Sequence, residues 1–151
     1  MWVVKPGENS NRGQGIKVES NFKNLCYLIQ TYCTENSTVI IQKYISNPLL
    51  YRGRKFDVRV FCLVTSINGK MKAFFYKDGY LRTSSKEYQL TASTLGNKFI
   101  HLVNDAVQKH GEDYGKYENG NKLSFDEFQD YLDDQFSHLN IDFRRDLIPQ
   151  I

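Results

Sequence analysis

The stretch Arg54-Lys55-Phe56-Asp57-Val58-Arg59-Val60 alternates charge and hydrocarbon one residue at a time. In an extended chain successive side chains point to opposite faces. The alternation therefore predicts a β-strand with Lys55, Asp57 and Arg59 on one face and Phe56, Val58 and Val60 on the other. Three charges of mixed sign on a central-looking strand are costly to bury unless they meet each other or a charged ligand. The residues alone leave two readings open: an exposed sheet face laced by ion pairs, or the floor of a site for an anion. β-forming residues continue to Ser66, so one long strand is expected over Lys55 to Ser66. Asn68-Gly69 then supplies the positive φ angles that a type I′ hairpin turn needs. Lys70 to Lys77 returns as a strand, Asp78-Gly79 turns again, and Arg82 in Tyr80-Leu81-Arg82-Thr83 falls within reach of the charged face.

Upstream, Trp2 to Lys5 reads as a short strand stopped by Pro6, and residues 6–15 are all loop formers with three glycines. Phe22, Leu25, Cys26, Ile29, Tyr32 and Cys33 then fall on one face of a 3.6-residue period, with Ser20 placed to cap the helix start. Thr38 to Tyr44 reads as a strand closed by the Asn47-Pro48 turn. Downstream, residues 84–121 show no clear period and are expected to form a long, partly ordered excursion. Ser124-Phe125-Asp126-Glu127 is a capping box. It opens a helix whose expected buried stripe is Phe125, Phe128, Leu132, Phe136 and Leu139. The sum is a mixed α/β (α+β) fold on a largely antiparallel sheet with flanking helices. Residues 1–151 contain no repeat or linker that divides them.

The chain of 151 residues is 40% hydrophobic and 25% charged, with 10 Gly and 3 Pro, which excludes collagen-like, low-complexity and wholly disordered classes. No apolar run reaches the roughly 18 residues of a membrane span, and no signal peptide is visible, so a cytoplasmic protein without a membrane partner is expected. Cys26, Cys33 and Cys62 are too few for a disulfide framework and read as partly buried free thiols; His101, His110 and His138 lack metal-ligand spacing. Charge is unevenly placed. Residues 1–86 carry 14 Lys and Arg against 5 Asp and Glu, whereas residues 87–151 carry 6 against 12. A basic half attracts polyanions, although two opposed halves also neutralise one another. The aromatics fall at core positions with no stacking platform, so nucleic acid is not the expected partner.

Two further segments bear on chemistry. Gly13-Gln14-Gly15 with Arg12 is either a plain surface loop or a place where backbone N–H groups approach phosphate closely. It fits neither the Walker A spacing nor the dinucleotide fingerprint. Gln42-Lys43-Tyr44-Ile45 ends a strand beside a turn; it is either a simple edge or a hinge whose backbone reads a purine.

The joint order of these pieces resembles the tubulin–tyrosine ligase family, with its polyglutamylase and polyglycylase members. The stretches that carry the likeness are Trp2 to Pro6 with Arg12 to Ile16, Gln42 to Ile45, and Gly53 to Arg59. They continue through Tyr80 to Thr83, His101-Leu102-Val103-Asn104 and Asn119 to Lys122. The resemblance implies an ATP-grasp-like fold, present here in part. It also implies an ATP-dependent reaction in which a tubulin-tail carboxylate is phosphorylated and an incoming amino group displaces phosphate to form an amide.

By position, the resemblance places Lys5 on ATP phosphate under a loop carrying Arg12 and Gly13. It places Gln42, Lys43, Tyr44 and Ile45 around adenine, Lys55 and Asp57 near ribose and phosphates, and Asn104 beside the nucleotide. Arg59 and Arg82 become the catalytic pair, neutralising the transferred phosphoryl group or holding the amino-acid carboxylate. Val103 departs from the family pattern, which has Thr there. The implied cofactors are ATP and Mg²⁺; the family's metal ligands lie on strands beyond Ile151, so no metal ligand is assigned here and turnover by the isolated chain is not expected. Tubulin or microtubules are the implied partner, in the cytoskeleton or a cilium. The added amino acid is expected to be tyrosine, from the Tyr114 to Asn121 stretch, with glutamate and glycine open. The alternative is an inactive remnant that binds microtubules or axonemes as a structural protein.

Overall fold

A computed structural model describes residues 1–8 and 10–151. The strands are β1 (Trp2–Pro6), β2 (Lys17–Glu19), β3 (Val39–Lys43), β4 (Leu50–Tyr51), β5 (Arg54–Arg59), β6 (Cys62–Ile67), β7 (Lys70–Phe75), β8 (Tyr80–Glu87) and β9 (Lys122–Ser124). The helices are α1 (Phe22–Tyr32), α2 (Lys98–His101), α3 (Asp105–Gln108) and α4 (Phe125–Phe136). Among the described residues these strands form three antiparallel sheets, in the orders β2-β1-β3, β4-β5-β8-β9 and β6-β7. This is the expected mixed α/β, ATP-grasp-like class on antiparallel sheets.

The charged strand behaves as its alternation requires. Phe56, Val58 and Val60 pack against a core of Tyr51, Leu81, Leu123, Phe125, Phe128, Leu132, Phe143 and Ile148. Helix α4 supplies Phe125, Phe128 and Leu132 to that core, and its capping box is formed as read: Ser124 Oγ accepts the Glu127 N–H while the Glu127 carboxylate accepts the Ser124 N–H. The stripe is shorter than expected. The helix ends at Phe136, which is half-buried, and Leu139 lies exposed in the turn beyond it.

Other boundaries differ for identifiable reasons. The expected Lys55 to Ser66 strand breaks at Val60-Phe61 into β5 and β6, so the Asn68-Gly69 hairpin forms a separate sheet of its own. The segment 15–21 holds a short strand, β2, that turn-forming neighbours conceal. The N-cap of α1 is Asn21, whose side chain accepts the N–H groups of Lys23 and Asn24; Ser20 instead donates its N–H to the Glu19 carboxylate. On that helix Leu25, Cys26, Ile29 and Tyr32 are half-buried, while Phe22 and Cys33 face solvent, as does Cys62.

The excursion 84–121 is folded against the sheet. Gln108, fully buried, accepts both the Ser85 N–H and its hydroxyl and donates to the carbonyls of Phe99 and Leu102. Asn121 donates to the Thr83 carbonyl and accepts the Gly115 N–H. Side-chain amides stand in for regular backbone pairing here, which is how buried polar groups stay satisfied in an irregular segment.

Candidate nucleotide site

Sheet β2-β1-β3 and the face of β5 opposite the core enclose a cleft of about 350 Å³. Lys5 from β1, Gln42 to Ile45 from β3 and its end, Lys55 from β5 and His101 from α2 line it, with Val3, Ile16 and Leu102 as apolar walls. Thus Lys5, Gln42, Lys43, Tyr44, Ile45 and Lys55, separated by up to 50 positions in the chain, meet in one place.

Lys5, Tyr44, Lys55 and His101 have defined partners there. Lys5 Nζ donates to Gln42 Oε1 at 2.9 Å, so the Gln42 side chain braces the lysine from the neighbouring strand. Tyr44 is buried, and its N–H already bonds the Met1 carbonyl at 3.1 Å. Ile45, 71% exposed, presents its side chain at the mouth. Lys55 lies beside a β-bulge: Arg54 opposes Glu87 and Phe56 opposes Thr83, so β8 carries extra residues there. Bulges re-aim side chains. Lys55 Nζ reaches the Tyr44 hydroxyl at 3.3 Å and the His101 carbonyl at 3.1 Å.

His101, named for its place in the family pattern and given no role by it, is the second anchor. Its Nε2 lies 3.0 Å from the Thr94 carbonyl and its Nδ1 2.9 Å from the Tyr44 hydroxyl. The carbonyl can only accept, so Nε2 carries the proton and Nδ1 accepts from Tyr44. A chain of donors then runs from Lys55 to Tyr44 to His101 to Thr94. Burial pushes the Lys55 ammonium below its ordinary value, and the Lys5 charge pushes it the same way against the opposing pull of Asp57. Burial likewise holds the imidazole of His101 below its ordinary value, and burial followed by the neighbouring Tyr88 raises the Tyr44 phenol.

Next along β5, Asp57 faces Arg82 of β8 as its direct cross-strand partner. The guanidinium grips the carboxylate with two bonds, Nε to Oδ1 at 2.8 Å and Nη2 to Oδ2 at 2.5 Å. This hydrogen bonding raises the Arg82 value against the cost of burial. Lys55 and Asp57 thus project together as the strand period predicts, but Arg59, at the end of β5, is exposed and lines neither this cleft nor the next.

The glycine loop lies over α3. Gly13, at φ +83°, comes so close that a Cβ on it would sit 3.0 Å from Asn104 Oδ1. Arg12 and Gly13 line a second cleft behind the first, and Asn104 stands at its edge under Gly13. Arg12 and Gly13 of the loop line one cleft and Lys5, Gln42 to Ile45 and Lys55 the other; the two adjoin through Ile16, Val18, His101 and Leu102, while Asp57 and Arg82, like Arg59, line neither.

Sequence reasoning gave no role to Arg54. It is buried against the rings of Tyr117, 4.4 Å from its centroid, and Tyr51, and forms an ion pair with Glu118; its Nη1 lies 2.8 Å from Oε2. Thr83 also donates to that carboxylate. The Tyr114 hydroxyl bonds Asp105. Tyr114 thus ties residues 113–121 to α3, and Tyr117 ties them to Arg54 of β5.

Comparison with known proteins finds relatives among the tubulin-modifying enzymes, three of which show the range. Tubulin glycylase 3A of Drosophila melanogaster is 37% identical over 122 residues, covering 81% of this chain and 11% of its own. Tubulin glycylase 3B of the same species is 38% identical over 136 residues, covering 87% and 17%. A probable alpha-tubulin polyglutamylase of Tetrahymena thermophila is 34% identical over 140 residues, covering 87% and 33%. The chain thus spans a third or less of the length of these three relatives. The family model of the tubulin-tyrosine ligases matches residues 1–144, and the chain belongs to the tubulin-tyrosine ligase family.

Proposed function

We propose that this chain is the nucleotide-handling part of an ATP-dependent ligase that joins an amino acid to a tubulin tail. The observation that carries the reading is the pairing of two lysines, Lys5 and Lys55, in a small cleft that no Asp or Glu lines. Burial is the main cause that holds the Lys55 ammonium below its ordinary value, and the Lys5 charge acts in the same direction. Two like charges held in an apolar cleft are stabilised by an anion placed between them. The apolar walls and the backbone at the end of β3 suit a purine, and a phosphate chain supplies the missing negative charge.

The chemistry follows from these groups. A tail carboxylate oxygen attacks the terminal phosphorus of ATP, ADP leaves, and the amine of the incoming amino acid displaces phosphate from the acylphosphate to form the amide. Lys5 and Lys55 neutralise charge on the phosphate chain, and the bidentate fork of Arg82 is suited to a carboxylate or phosphoryl oxygen when it exchanges Asp57 for substrate. The family implies Mg²⁺ as well. Among the described residues no three His, Cys, Asp or Glu side chains converge to hold a metal, and Asp57 is engaged by Arg82, so no step is assigned to Mg²⁺ here. The names of the relatives favour glycine or glutamate over tyrosine as the added amino acid, and Tyr114 and Tyr117 contact Asp105 and Arg54.

Titration calorimetry with ATP tests the reading. The chain is expected to bind ATP, and Lys55→Ala or Lys5→Ala to weaken binding by about tenfold or more through loss of a charge-assisted contact. Absence of binding at about 5 mM ATP, an affinity worth only roughly 3 kcal/mol, would overturn it.

A further inference from the structure

Lys55 stands in its cleft with most of its hydrogen bonding already arranged. An ammonium carries three protons. Among the described residues two of those on Lys55 have partners, the His101 carbonyl at 3.1 Å and the Tyr44 hydroxyl at 3.3 Å, which leaves one for a group in the cleft. The ammonium also lies 4.7 Å from the centroid of the Tyr44 ring. A hydroxyl has a single proton to give. Tyr44 offers a lone pair to Lys55 while that proton is engaged elsewhere, and His101 Nδ1, 2.9 Å away, is the acceptor that engages it. The Thr94 carbonyl, 3.0 Å from Nε2, selects the tautomer in which Nδ1 accepts. The His101 residue is 3% exposed, and its ring stands edge-on to those of Tyr44 and Tyr88, at 5.7 and 6.0 Å between centroids, so it has little room to turn.

From this geometry we infer that His101 is a positioning residue for Lys55 and acts in two ways: its carbonyl holds the ammonium directly, and its neutral imidazole orients the Tyr44 hydroxyl to hold it a second time. A lysine stem is flexible, and fixing it costs rotamer entropy. A side chain already fixed in the free protein meets a phosphate without that loss falling on binding. The same contacts support the charged form. Burial weighs most against the Lys55 charge, Asp57 on the same strand favours it, and Lys5 of β1 opposes it again. Two acceptors on Nζ act on the side of Asp57. The benefit to ATP binding rests on the reading of the cleft given above; the relay itself rests on its hydrogen bonds.

Calorimetry with ATP, run as a double-mutant cycle, tests the link to Lys55. Tyr44→Phe keeps the ring and removes the hydroxyl, His101→Leu removes the acceptor, and His101→Asn returns an oxygen near the place of Nδ1. Tyr44→Phe and His101→Leu are each expected to weaken ATP binding about three- to tenfold, the scale of one hydrogen bond, and His101→Asn to recover most of that loss. In a chain that already carries Lys55→Ala, Tyr44→Phe and His101→Leu should have no further effect. Losses that persist undiminished without Lys55 would overturn the inference, because a residue that only supports the fold, or touches ATP itself, acts whether or not the lysine is there.

Two spectroscopic readouts need neither ATP nor the leucine variant. In protein labelled with ¹³C-lysine, Lys55 is expected to lose its proton at lower pH in Tyr44→Phe than in wild type, since one acceptor for the ammonium is gone. The ¹⁵N spectrum of the His101 ring is expected to show the proton on Nε2. Identical Lys55 titrations in the two proteins, or a neutral ring protonated on Nδ1, would refute the relay. A wild type that passes both readouts but does not bind ATP would refute the nucleotide site and leave the relay standing.

Discussion

Arg54 and His101 show how much depends on single buried polar side chains in this molecule. Arg54 is 2% exposed, paired with Glu118 and stacked between two tyrosine rings. Removing one member of a buried pair strands the other charge, so Arg54→Met is expected to destabilise the fold by about 3–5 kcal/mol. The double change Arg54→Met with Glu118→Leu removes both charges and should recover much of that loss. Urea unfolding of the single and double variants checks it; equal midpoints for the double and the single would contradict the argument.

For His101 the sign of the pH effect is fixed by geometry. Its folded-state value lies below the ordinary 6.5 because burial opposes the charge. An unfolded chain therefore binds a proton that the folded one refuses, and the stability tied to neutral His101 is present above about pH 6.5 and lost as the pH falls below it. His101→Gln removes this linkage. The stability difference between wild type and variant is expected to shrink from about pH 8 to about pH 5, and a difference that stayed constant in urea titrations would refute the assignment.

At the scale of elements, α4 owes its start to local chemistry. The capping box satisfies N–H groups that the first turn leaves free, and Ser124→Ala is expected to cost about 1 kcal/mol, read as a shifted urea midpoint with unchanged slope. The same locality is why α4 was legible from sequence: cap, period and core stripe sit within a few residues of each other. The charged alternation of β5 was legible for a similar reason, since the two-residue period itself dictates which side chains share a face.

Where order depends on distant partners, sequence was mute. The break at Val60-Phe61 carries no glycine or proline, and the β-forming residues read straight through it. Residues 84–121 are organised in part by the pairs Gln108 with Ser85, Asn121 with Thr83 and Arg54 with Glu118, which lie 23 to 64 positions apart. The His101 to Tyr44 contact spans 57 positions. Family resemblance supplied the positions of the site residues; only the fold revealed that Gln42 braces Lys5, that Tyr44 spends its N–H on Met1, and that Arg59 stands apart.

Across the whole molecule, stability is unevenly distributed. The sheet β4-β5-β8-β9 is covered by α4 and carries the aromatic core. Among the described residues the β6-β7 sheet has no third strand, and Thr65 alone of its 12 residues is even half-buried. The Tyr76 N–H bond to the Phe61 carbonyl extends its own ladder, and its attachment to the rest runs through the chain on either side, with the Phe61 ring 6.2 Å from that of Tyr80 and the Lys77 carbonyl accepting from Arg144. An isolated two-stranded hairpin is marginally stable in water, because its ladder bonds compete with solvent and little apolar area is removed from it. The hairpin should therefore open without unfolding the core. Hydrogen exchange is expected to be about 100-fold faster or more for the amides of β6 and β7 than for those of β5 and β8. Urea at concentrations below the global transition should leave the hairpin rates nearly unchanged, since opening it exposes little new surface. Equal protection in the two sheets would mean that the hairpin is held by more than its own ladder.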